Sequence, residues 1–375
     1  MKITAAVLQQ TGGHSLPYSD TKPLTVREIT LDAPRPGELL VRIDAAGLCH
    51  SDLSVINGDR VRPMPMALGH EATGVVEAIG GDEGNGIAVG DRVVLVFLPA
   101  CGSCPRCRAG ETWLCSNGAA ANGAGSLLRG DCRLHDDHGD IHHHLGVSAF
   151  ATHAVVDARS AVRVDNDIPA EIAALFGCAV LTGVGAVINS GDLRPGEGVV
   201  IYGLGGVGLS ALLGARAGGA SRIIAIDPSD EKRALATELG AVACSPADAA
   251  AVIAEQFHEG GADLVIETVG NSAVLRSAIA SARRGGRIVT VGLPHPDQML
   301  DLPAITLVAE AKTLIGSYLG SCVPSRDIPR FIDMWRAGLL PVERLLTSVS
   351  PMSEINDLFD QLQSGRVIRQ VVRPG

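Results

Sequence analysis

The chain has few aromatic residues, and it has no excess of positive charge. Only 3% of its 375 residues are Phe, Trp or Tyr, although 46% are hydrophobic. The core must therefore be built mainly from Ala, Val, Leu and Ile. The formal net charge of -10 argues against nucleic acid as a partner, because no basic face would release counterions from phosphates.

The sequence contains no long apolar run, and we expect no signal peptide. No apolar stretch reaches the roughly 18 residues that a membrane-spanning helix requires. The first residues, MKITAAVL, become polar too soon to form a signal peptide. We therefore expect a soluble, cytoplasmic protein with no membrane partner. In that compartment, the nine cysteines are better interpreted as metal ligands or free thiols than as disulfides.

The length and the changing sequence pattern indicate two domains. A chain of 375 residues is too long for one ordinary core. Short β-prone runs at residues 39–43, 72–79 and 91–97 alternate with Gly and Pro, a pattern typical of compact β-barrels. From about residue 170 onward, helical and strand patterns alternate instead, and the mixed pattern of the first part returns after Pro324.

Two candidate metal ligands flank a loop rich in Pro and Met. Cys49 is followed by Ser51 and Asp52, and His70 is followed by Glu71. A catalytic zinc prefers thiolate and imidazole ligands, with three protein ligands and one open position. Ser51 would place a hydroxyl near that position, and the two carboxylates could hold a ligand imidazole. Taken alone, such a pair is more often a buried thiol and a hydrogen-bonded imidazole.

A cysteine quartet gives the strongest single signal in the sequence. Cys101, Cys104, Cys107 and Cys115 are spaced C-x2-C-x2-C-x7-C, which fits a closed, tetrahedral structural zinc site. Two alternatives stay open: an iron–sulfur cluster, which also uses four thiolates, and four unligated cysteines.

A polar, Gly-rich stretch at residues 116–147 contains several histidines. They are His135, His138 and the run at residues 142–144. A second metal site is conceivable, but adjacent histidines point in different directions and lack a regular ligand spacing. We interpret the stretch as a loop or pocket wall.

A dinucleotide-binding fingerprint follows a buried strand at residues 198–202. The glycine-rich loop consists of Gly203, Leu204, Gly205, Gly206, Val207 and Gly208. Gly203 permits the tight turn, Gly205 lets the backbone approach a pyrophosphate, and Gly208 lets helix and strand pack closely. The pyrophosphate would lie at the helix N-terminus. Asp227, which follows the next strand at residues 222–226, would bind the ribose hydroxyls and repel a 2'-phosphate, so NAD is preferred over NADP.

Strands at residues 262–267, 286–291 and 313–317 follow, so five strands are located in a parallel sheet that we predict to have six. Glycine-containing turns follow the first two. The nicotinamide half of the cofactor would lie there, near Val269, Val291 and Leu293. We thus predict an α/β protein with a doubly wound parallel sheet, the Rossmann domain at residues 180–318.

The assembled motifs resemble zinc-dependent alcohol dehydrogenases of the medium-chain dehydrogenase/reductase superfamily, over essentially the whole chain. They are GLCHSD at residues 47–52, GHEATGVV at 69–76, the cysteine quartet, the glycine loop with Asp227, and GCAVLTG at 177–183. The resemblance implies that the Rossmann domain is inserted into a mainly β, GroES-like catalytic domain, residues 1–179 completed by 319–375. It also implies that Cys178 is the third catalytic zinc ligand.

The resemblance implies several cofactor contacts and two zinc ions per subunit, one catalytic and one structural. His50 and Arg369 match positions that contact the pyrophosphate of NAD. Lys232 matches a position near the adenosine, and Thr182 matches one beside the nicotinamide. For Lys232 and Arg369, a solvated surface position is the alternative.

The implied reaction is the reversible oxidation of an alcohol to an aldehyde or ketone by hydride transfer to NAD. The zinc would act on the substrate oxygen, and Ser51 would take up the proton. Many relatives carry a relay histidine where this chain has Ser54, so we expect an alkaline optimum for alcohol oxidation.

The resemblance also outlines a substrate pocket. Phe97, Leu145 and Leu293 match apolar lining positions, and Ala120 is small for its position. Three other positions carry residues that are more polar or bulkier than usual: Arg60, His144 and Tyr318. A roomy pocket with a polar rim suits a primary, aryl or other bulky alcohol, such as a terpenoid, or one with an anionic group.

Competing interpretations share the same motifs. The chain could be a formaldehyde dehydrogenase that requires glutathione or mycothiol, or a zinc- and NAD-binding protein without turnover. A polyol dehydrogenase is less consistent, because those relatives commonly replace a catalytic cysteine that this chain keeps. The long segment between Cys115 and Phe150 favours a homodimer, with a homotetramer as the alternative.

Overall fold

The computed structural model describes residues 1–81 and 84–375. The strands are β1 (Lys2–Leu8), β2 (Leu24–Leu31), β3 (Glu38–Gly47), β4 (Met66–Ala67), β5 (Ala72–Ile79), β6 (Arg92–Leu95), β7 (Leu134–Asp136), β8 (Gly139–His143), β9 (His153–Asp157), β10 (Ala161–Val164), β11 (Gly198–Tyr202), β12 (Arg222–Ile226), β13 (Val242–Cys244), β14 (Ala262–Glu267), β15 (Ala282–Thr290), β16 (Thr313–Gly316), β17 (Leu346–Pro351) and β18 (Arg369–Arg373).

The helices are α1 (Tyr18–Thr21), α2 (His50–Ile56), α3 (Pro105–Arg108), α4 (Ser116–Ala124), α5 (Ala170–Leu175), α6 (Ala179–Gly185), α7 (Gly206–Ala217), α8 (Asp230–Glu238), α9 (Ala249–Gln256), α10 (Ser272–Ser281), α11 (Ala304–Ala309), α12 (Pro324–Arg336) and α13 (Ile355–Gln363). One π-helical turn, Ala186–Ser190, follows α6. Across residues 1–81 and 84–375, none of these helices combines the length and apolar character that crossing a bilayer requires.

The chain divides into two compact units. The first comprises Met1–Cys178, Val323–Pro329 and Leu346–Gly375, and the second comprises Ala179–Cys322 and Arg330–Leu345. The predicted assignment of all of residues 319–375 to the catalytic domain therefore differs from this division. Residues 330–345 group with the second unit because the turn Val342–Leu345 packs on α7 and Arg344 forms an ion pair with Glu238.

The first unit is mainly β, as predicted. Strands β1, β2, β7, β8 and β4 form a closed barrel, and a seven-stranded sheet runs β10-β6-β5-β3-β18-β17 with β9 paired to β3. Alternate residues of β3, such as Leu39, Val41 and Ile43, are buried in the main core of this unit. Phe150 and Phe359 meet there with their ring centroids 6.1 Å apart. These aromatic side chains fill space between layers built mostly from aliphatic residues.

The stretch at residues 116–147 is more regular than the predicted loop. It contains helix α4 and the hairpin of β7 and β8. The Cys115 thiol caps α4 by accepting a hydrogen bond from the Gly118 amide. Strand β8 pairs with β4, which fixes His142 and His143 in the barrel wall. His142 and His143 are thus part of the sheet, and His144 directly follows it. Of the two predicted alternatives, a loop is wrong for these elements, and a pocket wall stays a prediction.

The second unit contains one parallel sheet of six strands in the order β13-β12-β11-β14-β15-β16. Numbered from β11, this is the 3-2-1-4-5-6 order of a doubly wound dinucleotide-binding fold. Strand β11 is completely buried at Val199, Val200 and Ile201, as expected for a central parallel strand covered on both faces. Strands β11, β12 and β14 have the predicted bounds, whereas β13 was not located from the sequence.

Candidate functional site

Three metal-binding side chains converge in the first unit. The donor atoms of Cys49, His70 and Cys178 all lie within 4.8 Å of one another. Cys49 follows β3 and His70 precedes β5; these strands pair antiparallel, and the Gly47 amide donates to the Glu71 carbonyl at 2.8 Å. The pairing therefore brings the first two ligands together.

Cys178 reaches the cluster from a distant part of the chain. It follows α5, which packs on β3 and β5. A Cβ atom at the preceding residue, Gly177, would lie 2.4 Å from the Leu95 carbonyl oxygen. Glycine is needed there because the chain passes directly against the backbone of β6.

The donor set fits a zinc ion. Zinc prefers thiolate and imidazole ligands, and the cluster offers two thiols and one imidazole. The Nε2 atom of His70 is buried and, among residues 1–81 and 84–375, has no hydrogen-bond partner. A buried polar nitrogen without a partner is costly in a protein that binds nothing there. His70 Nε2 is thus the ring atom available to a metal.

The buried carboxylate of Asp52 contacts the segments that carry two of these ligands. Its Oδ1 atom lies 3.0 Å from His70 Nδ1 and accepts a hydrogen bond from the Gly69 amide, and its Oδ2 atom accepts one from the Cys49 amide. Burial raises the pKa of Asp52, but the charge of His70 and the nearby His144 outweigh it and lower the pKa overall. Burial lowers the pKa of His70, but Asp52 and then Cys49 outweigh this effect and raise the pKa overall.

A second buried carboxylate, Glu71, forms an ion pair with Arg369. Burial raises the pKa of Glu71 to about 7, although the Arg369 charge opposes this shift. A hydrogen bond from Cys178 lowers the pKa of the Cys49 thiol, and the same contact raises the pKa of Cys178. Because the Arg369 side chain is 4% exposed, a solvated surface position is wrong for this residue.

The cysteine quartet is also assembled. The sulfur atoms of Cys101, Cys104, Cys107 and Cys115 lie within 4.8 Å of one another. The Cys101 sulfur accepts hydrogen bonds from the amides of Ser103 and Cys104 at 3.4 and 3.3 Å. Burial raises the pKa of Cys101, but these donors and the Ser103 hydroxyl lower it to about 6. Four adjacent sulfurs with N–H donors fit a closed tetrahedral metal site.

The glycine loop of the second unit has the predicted conformation. Gly203 has a φ of +88°, which favours glycine. A Cβ atom at Gly208 would lie 1.8 Å from the Gly203 carbonyl oxygen, whereas one at Gly205 would meet no protein atom within 4 Å. Protein packing thus requires Gly208 but leaves space beside Gly205. Helix α7 begins at Gly206 without a side-chain cap, so this N-terminus fits a pyrophosphate.

The predicted adenosine-binding residues are both buried in the second unit. Asp227 follows β12, and its carboxylate accepts hydrogen bonds from the amides of Leu204 and Ser229 at 2.7 and 2.9 Å. It therefore links the glycine loop to the turn before α8. Lys232 is 9% exposed, so the alternative of a solvated surface position is wrong here too. Thr182 lies on α6 and is also buried.

Glu267, which the sequence reasoning missed, organises the turns after β14 and β15. Its Oε1 atom accepts hydrogen bonds from the amides of Val269 and Gly270, and its Oε2 atom accepts one from the Thr290 hydroxyl, all at 2.7 Å. Its backbone carbonyl accepts from the Val291 amide at 2.8 Å. An acidic residue directly after the apolar run at residues 264–266 was the available signal.

Comparison with known proteins connects both halves of this architecture to one family. Residues 35–166 match the family described as alcohol dehydrogenase GroES-like domain, and residues 206–337 match zinc-binding dehydrogenase. Geraniol dehydrogenase of Castellaniella defragrans is 39% identical, with 98% of this chain and 96% of that protein covered. The chain belongs to the zinc-dependent alcohol dehydrogenase family of the medium-chain dehydrogenase/reductase superfamily. The resemblance and the fold class inferred from the sequence are confirmed.

Two further relatives are also named as alcohol dehydrogenases. The NDMA-dependent alcohol dehydrogenase of Amycolatopsis methanolica is 37% identical, and 99% of each chain is covered. Among solved structures, benzyl alcohol dehydrogenase of Acinetobacter calcoaceticus is 30% identical, with a TM-score of 0.92 and complete coverage of both chains.

Two of the predicted pocket residues pack against the imidazole ring of His70. The ring centroids of Phe97 and His144 lie 5.8 and 5.5 Å from that of His70, both edge to face. His144 is 1% exposed, so its predicted place on a polar rim was wrong. Leu145 is also buried.

The remaining predicted site residues differ in how exposed they are to solvent. In the first unit, Ala120 is exposed on α4, Arg60 is half-buried, and His50 is exposed at the start of α2. In the second unit, Leu293 and Tyr318 are 60% and 39% exposed.

Ser51, the predicted proton acceptor, lies beside the ligand cluster. Its hydroxyl oxygen is 3.9 Å from the Cys49 sulfur. The hydroxyl of Ser54, which occupies the position of the missing relay histidine, donates to the Ser51 carbonyl at 2.9 Å.

Proposed function

We propose that this protein is a zinc- and NAD-dependent alcohol dehydrogenase that interconverts a primary, aryl or other bulky alcohol with its aldehyde or ketone. The observation that carries the proposal is the cluster of Cys49, His70 and Cys178, in which His70 Nε2 has no hydrogen-bond partner in the described part of the chain. Membership in a family of alcohol dehydrogenases supports the reaction class. The names of the geraniol and benzyl alcohol dehydrogenases support a bulky substrate.

The side chains around the cluster have separate roles in the proposed reaction. Zinc bound there would polarise the substrate oxygen, and NAD would supply the hydride acceptor. Asp52 keeps a proton on His70 Nδ1, which leaves the Nε2 lone pair free for the metal. The guanidinium of Arg369 offsets negative charge on Glu71 and on the cysteine thiolates that would hold a metal. Ser51 is the hydroxyl beside the cluster that we assign to proton uptake from the alcohol.

We assign the quartet to a structural zinc and the second unit to NAD. Glu267 holds the turns that carry Val269 and Val291, so their backbones are fixed before a cofactor binds. Asp227 presents a carboxylate beside the glycine loop, which favours two ribose hydroxyls over a 2'-phosphate. We expect His50, Lys232 and Arg369 to complete the cofactor site, and a cytoplasmic homodimer to be the working form.

One relative favours a second candidate for the electron acceptor. Because a 37% identical protein is named an NDMA-dependent alcohol dehydrogenase, NDMA is the alternative to NAD as the electron acceptor.

The test is a panel of alcohols assayed at 340 nm with NAD or NADP, and separately with NDMA as acceptor. The panel contains ethanol, long-chain, benzyl and terpenoid alcohols, and formaldehyde with and without glutathione or mycothiol. We expect NADH formation with bulky alcohols in the absence of thiol. Turnover with NDMA alone would support NDMA as the alternative acceptor. Activity that requires formaldehyde and thiol would contradict the proposed substrate class, and no activity with any acceptor would contradict an enzymatic role.

A further inference from the structure

His144 contacts the same carboxylate oxygen as the ligand imidazole. Its Nδ1 atom lies 3.1 Å from Asp52 Oδ1, and His70 Nδ1 lies 3.0 Å from that oxygen. All three side chains are at most 1% exposed. The His144 amide also donates to the Ser148 hydroxyl at 2.9 Å, which fixes the backbone that carries the ring.

The carboxylate of Asp52 determines that the proton of His144 lies on Nδ1. A lone pair on Nδ1 would face the lone pairs of a carboxylate at 3.1 Å, which is repulsive, whereas an N–H group is attracted. His144 Nδ1 is buried and has no aligned hydrogen-bond partner among residues 1–81 and 84–375. Hydrogen bonds around catalytic groups are often poorly aligned before ligands bind. Asp52 Oδ1 is within hydrogen-bond distance and provides the acceptor that this nitrogen needs.

We propose that His144 is a positioning residue of the catalytic metal site, which donates from Nδ1 to Asp52 and thereby fixes the carboxylate that orients His70. This inference rests on the proposed zinc function of Cys49, His70 and Cys178. It gives His144 a role beyond lining the pocket. An apolar ring at this position could fill the same space but would remove one donor from Asp52.

A different use of these residues would be a second metal ion. Asp52, His70 and His144 also form a group whose donor atoms lie within 4.8 Å of one another. We favour the hydrogen-bonded arrangement because His70 Nδ1 is already directed at Asp52 at 3.0 Å. The metal count of the protein distinguishes the two arrangements.

The test compares His144→Phe with His144→Asn. Phenylalanine keeps an aromatic ring without a donor, and the Asn Nδ2 group can take the place of the histidine Nδ1–H. Release of the catalytic zinc to a chromogenic chelator and the visible spectrum of the cobalt-substituted protein are measured beside kcat and KM. Loss of a partner behind a metal ligand weakens binding about 10- to 100-fold. We therefore expect His144→Phe to release zinc about tenfold faster with a shifted cobalt spectrum, and His144→Asn to stay within about threefold of wild type.

Three results would overturn the inference in distinguishable ways. Wild-type release rates and cobalt spectra in both variants, with a change only in the KM for the alcohol, would leave His144 as a pocket residue. A third metal ion per chain that is lost in both variants would identify a second metal site. Wild-type protein without zinc at Cys49 would contradict the proposed function itself. Should His144→Phe fail to retain the quartet zinc or a cooperative melt, His144→Leu serves as the apolar variant.

Discussion

The two candidate zinc sites of the first unit are built in opposite ways. The quartet lies within residues 101–115, and backbone amides donate to its sulfurs. The catalytic cluster joins positions 49, 70 and 178, and the buried side chains of Asp52, Glu71 and Arg369 surround it. The quartet lies in a local loop with few packed apolar residues. The catalytic cluster lies beside a large packed core.

This difference predicts what each metal does for the protein. The apolar cluster around the quartet consists of its cysteines and Leu128, so a metal there supplies most of what holds the loop together. The catalytic cluster lies at the ends of β3 and β5, whose core residues are buried regardless of a metal. Removing the first metal should therefore unfold a segment, and removing the second should stop the reaction while the fold persists.

The largest effect is expected from Cys178→Ala. Loss of a catalytic ligand should lower kcat/KM by about 1,000-fold, equivalent to about 4 kcal/mol in the barrier, with a small change in melting temperature. Steady-state kinetics and thermal melts check this. Cys244→Ala is the matched control, because Cys244 is buried but belongs to neither cysteine cluster. Comparable kinetic loss in both variants would contradict the assignment.

A stability effect is expected from Cys107→Ser. Loss of the quartet metal should lower the melting temperature by about 5 °C or more, since 1 kcal/mol corresponds to about 2–4 °C in a domain of this size. Cys132→Ser, a half-buried cysteine outside both clusters, should melt like wild type. A Cys107→Ser protein with normal melting and normal zinc content would refute the structural role.

A change of cofactor preference is expected from Asp227→Ala. Without the carboxylate, repulsion of a 2'-phosphate disappears, and we expect the ratio of kcat/KM for NAD over NADP to fall about 10- to 100-fold. Asp230→Ala is the control, because that carboxylate is 92% exposed on the neighbouring helix. An unchanged ratio in the Asp227 variant would contradict the assignment of the adenosine site.

The smallest effect is expected from Ser54→His. A histidine would restore a terminal base for proton release at this position, so we expect the alcohol-oxidation optimum to move toward neutral pH by about one unit. The pH dependence of kcat measures this. Ser54→Ala, which removes the hydroxyl bond to Ser51 without adding a base, should keep an alkaline optimum. Identical profiles for wild type and the histidine variant would contradict the relay argument.

How far the sequence predicted these features depends on how local each one is. The quartet and the glycine loop are consecutive in the chain, so spacing alone indicated both. Cys178 lies far from Cys49 and His70, and only the family resemblance placed it with them. The contacts of Glu267 and His144 depend on side chains meeting across strands and loops, which no local pattern encodes. Likewise, residues 330–345 group with the second unit through a contact between Arg344 and Glu238.

The most direct test of two separate zinc sites is the metal content per chain of wild-type and Cys178→Ala protein, measured by inductively coupled plasma mass spectrometry. We predict two zinc ions in wild type and one in the variant, with the cysteine quartet still occupied. Iron with acid-labile sulfide in place of zinc, or equal zinc content in the two proteins, would contradict this account.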